Sequence, residues 1–260
     1  MFRFVRRALI SVELSLLLCP FSTKAQQPAF SASSLLSQSS ILQWTGDNGL
    51  VSNNITSAIR DHNGFVWITS YNGIMRFDGI QVYVYDKSKI PFLSTGAFYG
   101  VYEAKDGTLW FTSQSSGLIK YSGEKFERID PEHKILPNSI RSLHLAEDGK
   151  MWIGSNNSGL FRMSGNTIEK IDDPDLNDRS ILDLAVDRDN ILWIGTDGKG
   201  LYRYDGKMTE HIAGVSSTII NSVCISHDNT ALIGTPNGLD VIAHKKISRH
   251  PRLTDYQVNK

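Results

Sequence analysis

Four tryptophans, Trp67, Trp110, Trp152 and Trp193, recur at separations of 43, 42 and 41 residues, and Leu232 stands in the same context 39 residues further on. The surrounding segments agree in register: DHNGFVWITSYNGIMRFDG, AKDGTLWFTSQSSGLIKYSG, AEDGKMWIGSNNSGLFRMSG, DRDNILWIGTDGKGLYRYDG and SHDNTALIGTPNGLDVIAH. A unit of about forty residues cannot bury its own apolar face, so each copy must pack against its neighbours. The repeat therefore restricts the chain to stacked or radial architectures. Composition agrees: 40% of the 260 residues are hydrophobic, aromatics make up 10%, and there are 21 glycines. That content excludes general disorder.

Within each copy, short alternating runs are separated by turn pairs. Asn63-Gly64, Asp106-Gly107, Asp148-Gly149, Asp189-Asn190 and Asp228-Asn229 precede the Trp position. These pairs predict type I′ hairpin turns with positive φ at both central residues. A second glycine follows the Trp position in every copy: Gly73, Gly117, Gly159, Gly200 and Gly238. A third turn falls at Asp78-Gly79, Ser122-Gly123, Ser164-Gly165 and Asp205-Gly206, and the fifth copy lacks it. Three turns join four antiparallel strands. The Trp residues and second glycines are read as structural repeat positions. Residues flanking the Trp are apolar, so both faces of the second strand are expected to be buried, which requires a neighbour on each side. The fold class is all-β, a β-propeller of four-stranded antiparallel blades with five recognisable repeats. The copies fall at about 50–90, 91–131, 132–173, 174–213 and 214–251 within a propeller region 41–251.

Residues 1–25 have the form of a signal peptide, with Arg3, Arg6 and Arg7 ahead of an apolar stretch and small residues at Thr23 and Ala25. Glu13 interrupts the apolar stretch, and a retained anchor or a buried helix are the alternatives. Residues 26–40, rich in Ser and Gln, read as a flexible leader. Cleavage after Ala25 removes four basic residues and one acidic residue, leaving 23 basic against 26 acidic, a net charge of −3. Cys224 is then the one remaining cysteine, so no intrachain disulfide is expected. There is no basic block, and nucleic acid is not an expected partner.

The consensus GL-x-S/N-N-x-I, D-G-x-L/M-W-I-G-T and G-L-x-R/K-Y-D-G resembles the two-component regulator propeller repeat. Gly49 to Ile55 and Leu136 to Ile140 match its start. Trp193 to Thr196 match its middle, and Gly200 to Gly206 its end. The resemblance covers about residues 41–243. It implies a periplasmic or secreted sensing domain of a two-component-type regulator, carried ahead of a membrane helix and a kinase or cyclase output absent from this sequence. It further implies an oligosaccharide or another small extracellular ligand, and a dimer in the complete receptor. Membrane attachment would come through a downstream segment. Family propellers usually have seven blades, so a part of a larger propeller is expected. Residues 252–260 would then begin a further repeat or form a tail. A five-bladed ring closed by Ile41 to Trp44 is the alternative.

No metalloprotease helix motif, nucleophile elbow or phosphate-loop lysine occurs. The chain is read as non-catalytic, with no catalytic residue, no metal site and no cofactor. Arg76, Lys120, Arg162 and Arg203 recur at one point of the repeat, which marks scaffold. Asp173-Pro174-Asp175-Leu176-Asn177 offers calcium-like oxygen spacing but lacks the glycine and the final Glu of such loops. Binding is expected at the turns between second and third strands. Tyr71, Asn72, Gln114, Asn156, Asn157, Asp197, Lys199 and Asn237 stand there, and their amides suit a hydroxyl-rich ligand. A free-standing interaction propeller is the runner-up, and a propeller glycan hydrolase or lyase the third reading.

Overall fold

A short run that alternates apolar and polar residues between tight turns pairs with its neighbour in sequence before anything else, and the chain does this throughout. The computed structural model describes residues 3–5, 41–46, 49–132, 134–244 and 246–250. Blade 1 is β3 (Ile55–Arg60), β4 (Val66–Ser70), β5 (Gly73–Phe77) and β6 (Val82–Tyr85). Blade 2 is β7 (Phe98–Glu103), β8 (Leu109–Ser113), β9 (Leu118–Ser122) and β10 (Lys125–Arg128). Blade 3 is β11 (Ile140–Leu145), β12 (Met151–Ser155), β13 (Leu160–Ser164) and β14 (Thr167–Lys170). Blade 4 is β15 (Ile181–Val186), β16 (Leu192–Thr196), β17 (Leu201–Tyr204) and β18 (Thr209–Ile212). Blade 5 is β19 (Ser222–Ile225), β20 (Ala231–Thr235), β21 (Gly238–Ala243) and β22 (Lys246–Arg249). Each is a four-stranded antiparallel meander, as the repeat predicts.

Residues 54–260 form one compact unit and residues 1–53 another. In the smaller unit β1 (Arg3–Val5) pairs antiparallel with β2 (Ile41–Gln43) in a sheet of two strands. The expected signal peptide beyond Arg3–Val5, the leader 26–40 and the tail 252–260 lie outside the described residues.

In the larger unit the first strands of consecutive blades meet in series, β3 with β7, β7 with β11, β11 with β15 and β15 with β19. Four buried clusters fill the four junctions. The second strands explain how. Leu192 and Ile194 belong to the junction with blade 3, whereas Trp193, between them, belongs to the junction with blade 5. Ile153 and Trp152 divide in the same way between the junctions of blade 3 with blades 2 and 4. Alternation at a period of two thus ties blades 3 and 4 each to two others. Both faces are buried in blades 2 to 4, where every residue of the second strand is inaccessible. In blade 5 burial alternates instead, and Leu232, at the Trp position, is half-exposed.

The first turns differ from the type I′ expectation. Only the second residue of each pair has positive φ, as at Gly64 (90°) and Asn190 (59°). Gly64 N donates to Asp61 O while Asp61 N donates to Phe65 O. This is a type I turn closed by a left-handed residue, the three-residue hairpin alternative. A both-positive turn does occur at Gly123 (56°) and Glu124 (64°), one residue beyond the predicted pair.

Candidate functional site

The turns between second and third strands sit on a clamp that recurs in all five blades. The last residue of each second strand is a buried hydroxyl: Ser70, Ser113, Ser155, Thr196 and Thr235. Each donates to the carbonyl of the second glycine, Gly73, Gly117, Gly159, Gly200 and Gly238 respectively. In four blades that hydroxyl also accepts an N–H from the turn, from Asn72, Ser116, Ser158 and Asn237. The turn is further tied to the loop entering the next blade. Gly117, Gly159 and Gly200 donate their N–H to Asn138, Arg179 and Thr218 carbonyls. Gly159 is left-handed (φ 82°), and a Cβ there would lie 2.7 Å from Leu176 O.

On this clamp stand the predicted ligand residues. Tyr71, Asn72, Gln114, Asn157, Asp197, Lys199 and Asn237 are exposed, and Asn156 is half-buried. They occupy corresponding turns on one end of the blades. Asn156 and Asn157 both accept from Ser180 Oγ, at 3.0 and 2.7 Å, and Asn237 Nδ2 donates to Ser216 O. Part of their amide capacity is therefore used, by Asn156 and Asn157 in joining blades 3 and 4 and by Asn237 in tying blade 5 to its own entry loop. The calcium-like segment is likewise engaged: Asp173 accepts from the Asp175 N–H and the Thr209 hydroxyl, and Asn177 donates to Asp172.

At the opposite end, between blades 1 and 2, lies a cavity of about 330 Å³. Its floor is aromatic. Trp67 is 1% exposed, stacks on Tyr85 at 5.7 Å between centroids, and meets Tyr121 at 4.9 Å. Trp67 Nε1 donates to Asp61 Oδ2 at 2.8 Å, and Phe65 N donates to the other oxygen of that carboxylate. His62 Nδ1 and N both reach Glu103 Oε1, binding the blade 1 turn to blade 2. Arg76 lines the cavity among the rings of Phe65, Tyr83, Trp67 and Tyr85, at 4.7, 5.1, 5.7 and 6.0 Å from their centroids. Asp106 and Glu124 stand at the rim, and Asp106 is held below the usual carboxylate range by the Thr108 N–H.

The equivalent basic residues behave as scaffold. Arg162 and Arg203 lie over Trp152 and Trp193 and pair across to Glu169 and Glu210. Lys120 stands opposite Glu127 in the register. Opposite Arg76 is Tyr83.

Half-buried polar groups stand on the first strands. Asp183 accepts from Val223 N of blade 5 at 2.8 Å and from Leu184 N at 2.9 Å, and burial pushes its carboxyl up to about 6. Burial pushes the Tyr102 phenol up, with the Asp183 charge adding to it. His144 is lowered by burial, and its Nε2 accepts from Val186 N of the next blade.

Sequence reasoning passed over the clamp hydroxyls, although Ser or Thr stands three residues after every Trp position. It also passed over Asp61 and Asp187, six residues before their tryptophans, which accept from Trp67 and Trp193 Nε1 at 2.8 Å. The matching positions Ala104, Ala146 and Ser226 hid that pattern. The cavity had no linear signal, because its walls come from two blades.

A model of the two component regulator propeller matches residues 49–72, 134–157 and 175–198. Each match runs from the approach to a first strand through to the clamped turn, in blades 1, 3 and 4. No curated protein shows significant sequence similarity to the chain. Among solved structures, an extracellular domain assigned to a one-component system of B. thetaiotaomicron superposes with a TM-score of 0.66 at 22% identity, covering 77% of this chain and 28% of that one. Virginiamycin B lyase from Staphylococcus aureus gives 0.63 at 17% identity, covering 82% and 76%. A gluconolactonase from Xanthomonas campestris gives 0.57 at 14% identity, covering 75% of each. These likenesses carry the fold, and the chain spans under a third of the first relative's length. The matched repeats place the two component regulator propeller signature in blades 1, 3 and 4, and the four-stranded sheets packed in series are those of a β-propeller.

Proposed function

We propose that this chain is an extracellular, non-catalytic sensing propeller of a two-component-type regulator, and that it presents its clamped turns to a hydroxyl-rich ligand. The observation that carries the reading is a constant frame with variable tips. The buried hydroxyl and glycine recur in every blade, while the tips change from Tyr71-Asn72 to Gln114-Ser115, Asn156-Asn157, Asp197-Gly198-Lys199 and Pro236-Asn237. A frame of this kind holds donors and acceptors at fixed positions, which reduces the ordering cost of binding. The repeats matched in blades 1, 3 and 4 support the signalling role, and the extracellular domain that this chain resembles in structure supports export. Ligand binding would alter how the propeller packs on a dimer partner or a following output domain.

The test is calorimetric titration of the chain with a panel of oligosaccharide fragments, followed by chromatography of the recovered ligand. Saturable binding with ligand returned intact is the expected outcome. Steady conversion would replace this reading with the enzymatic one, which the likeness to a lyase and a lactonase keeps in view. Absence of binding across the panel, with a protein captured instead, would favour an interaction module.

A further inference from the structure

The cavity between blades 1 and 2 is where the repeat breaks. In the three following blades the recurrent cation faces a glutamate: Lys120 opposite Glu127, Arg162 opposite Glu169 and Arg203 opposite Glu210. Blade 1 has Tyr83 in the glutamate's place, and its hydroxyl is engaged with Gln81 and Asp78. No ion pair to Arg76 exists among the described residues, and its buried Nε has no hydrogen-bond partner. One wall carboxylate is committed elsewhere, since Asp61 takes the Trp67 and Phe65 N–H groups. A guanidinium packed among four rings, with the Tyr121 hydroxyl as a neutral hydrogen-bond partner, is therefore left without a counter-ion beside a cavity of about 330 Å³, the lower end of the size range for ligand sites.

The walls restrict what could supply the missing charge. The Asp106 and Glu124 side chains at the rim offer carboxyl oxygens as acceptors, so they favour a ligand rich in O–H donors. The same two charges oppose a polyanion. Phe65 and Tyr121 offer apolar area to a ring face. A neutral sugar would leave Arg76 uncompensated, and a simple carboxylate would leave the rim acceptors unmet. We propose that this cavity is a binding site for a uronic-acid-type sugar, its single carboxylate on Arg76 and its hydroxyls on the acidic rim. The site lies at the other end of the blades from the clamped turns. It rests on the sensing reading for its role, though its existence does not depend on those turns.

Calorimetric titration of the full chain with galacturonate and glucuronate, against galactose and glucose, tests the assignment. The uronates should bind about tenfold or more tighter than their neutral partners, as a charge-assisted contact requires. Tyr83→Glu restores the carboxylate found in blades 2 to 4 and should weaken uronate binding by about tenfold or more, with Arg76→Gln doing the same. An unchanged melting temperature in Tyr83→Glu separates loss of the site from loss of the fold. Equal affinity for uronates and neutral sugars would overturn the assignment, as would full binding by Tyr83→Glu or no binding at millimolar sugar. If binding instead disappears on replacing Asn156 and Asn157 with Ala, this site is wrong and the sensing reading stands. Conversion of the uronate would overturn that reading while leaving the site.

Discussion

The junction between blades 1 and 2 and that between blades 3 and 4 use the same strands for different ends. The first is aromatic, with Trp67, Phe98, Phe111, Tyr85, Tyr121 and Phe126 in one connected set of ring contacts. The second is mainly aliphatic, Leu160, Leu176, Ile181, Leu184, Leu192 and Ile194 filling the space around Trp152 and two tyrosines. Flat rings meet at set angles and leave a cavity at their edge, whereas branched aliphatic chains interdigitate closely. At the aliphatic junction Gly154 lets the sheets approach so nearly that a Cβ would lie 2.7 Å from Ile181. Close packing makes the frame. The break in the repeat falls beside the cavity.

The largest effects should come from removing the rings themselves. Trp67→Ala should cost about 4–5 kcal/mol and Trp152→Ala about 3–5 kcal/mol, because both rings fill a junction. Leu232→Ala, on the half-exposed face of blade 5, should cost only about 1–2 kcal/mol in the same urea titration. If all three variants lose equally, the distinction between inner and outer blades fails. A smaller effect depends on pH. Asp183 has a folded pKa near 6 against an ordinary 3.8, so the folded state holds its proton more tightly than the unfolded chain. Its contribution is fully present below about pH 4 and declines as pH rises through 6, by about 1–3 kcal/mol. Asp183→Asn should flatten that decline in melting temperature measured from pH 4 to 7. An unaltered slope would remove Asp183 from the junction of blades 4 and 5.

Smaller again is the clamp. Ser155→Ala leaves the Ser158 N–H without its partner and takes one of two hydrogen bonds from the Gly159 carbonyl, which keeps the Ser155 N–H, and should cost about 1–2 kcal/mol. The surface pairs should matter least. Glu210→Gln weakens an exposed partner of Arg203 and should change stability by under about 1 kcal/mol, with more effect at low salt. A large loss there would show that the cross-strand pair anchors the blade, and the absence of such a pair at Arg76 would then need another explanation.

The fold was legible because the physics that sets it is local and repeated. Apolar residues beside Trp110, Trp152 and Trp193 announced a strand buried on both faces, and turn pairs marked where strands reverse. Turn type was harder, since Asp106-Gly107 fits both a type I′ turn and the type I turn that forms, and hydrogen bonds from Gly107 N to Ala104 O decide it. The clamp was readable in principle at Ser155 and Thr196, but a buried hydroxyl is inconspicuous beside a Trp. The cavity could not be read along the chain. Arg76 looks like its counterparts at 162 and 203 until the strand register sets Tyr83, not a glutamate, across from it.

The central claim is that ligands meet this propeller at its ends, where the copies differ, while the blades between stay fixed. Amide hydrogen exchange of the chain with and without saturating galacturonate tests it most directly. New protection confined to the turns around residues 61–65, 104–108 and 122–124, with the second strands of blades 2 to 4 unchanged, is the predicted result. Protection spread through those second strands would contradict a rigid frame and the assignment of recognition to its ends.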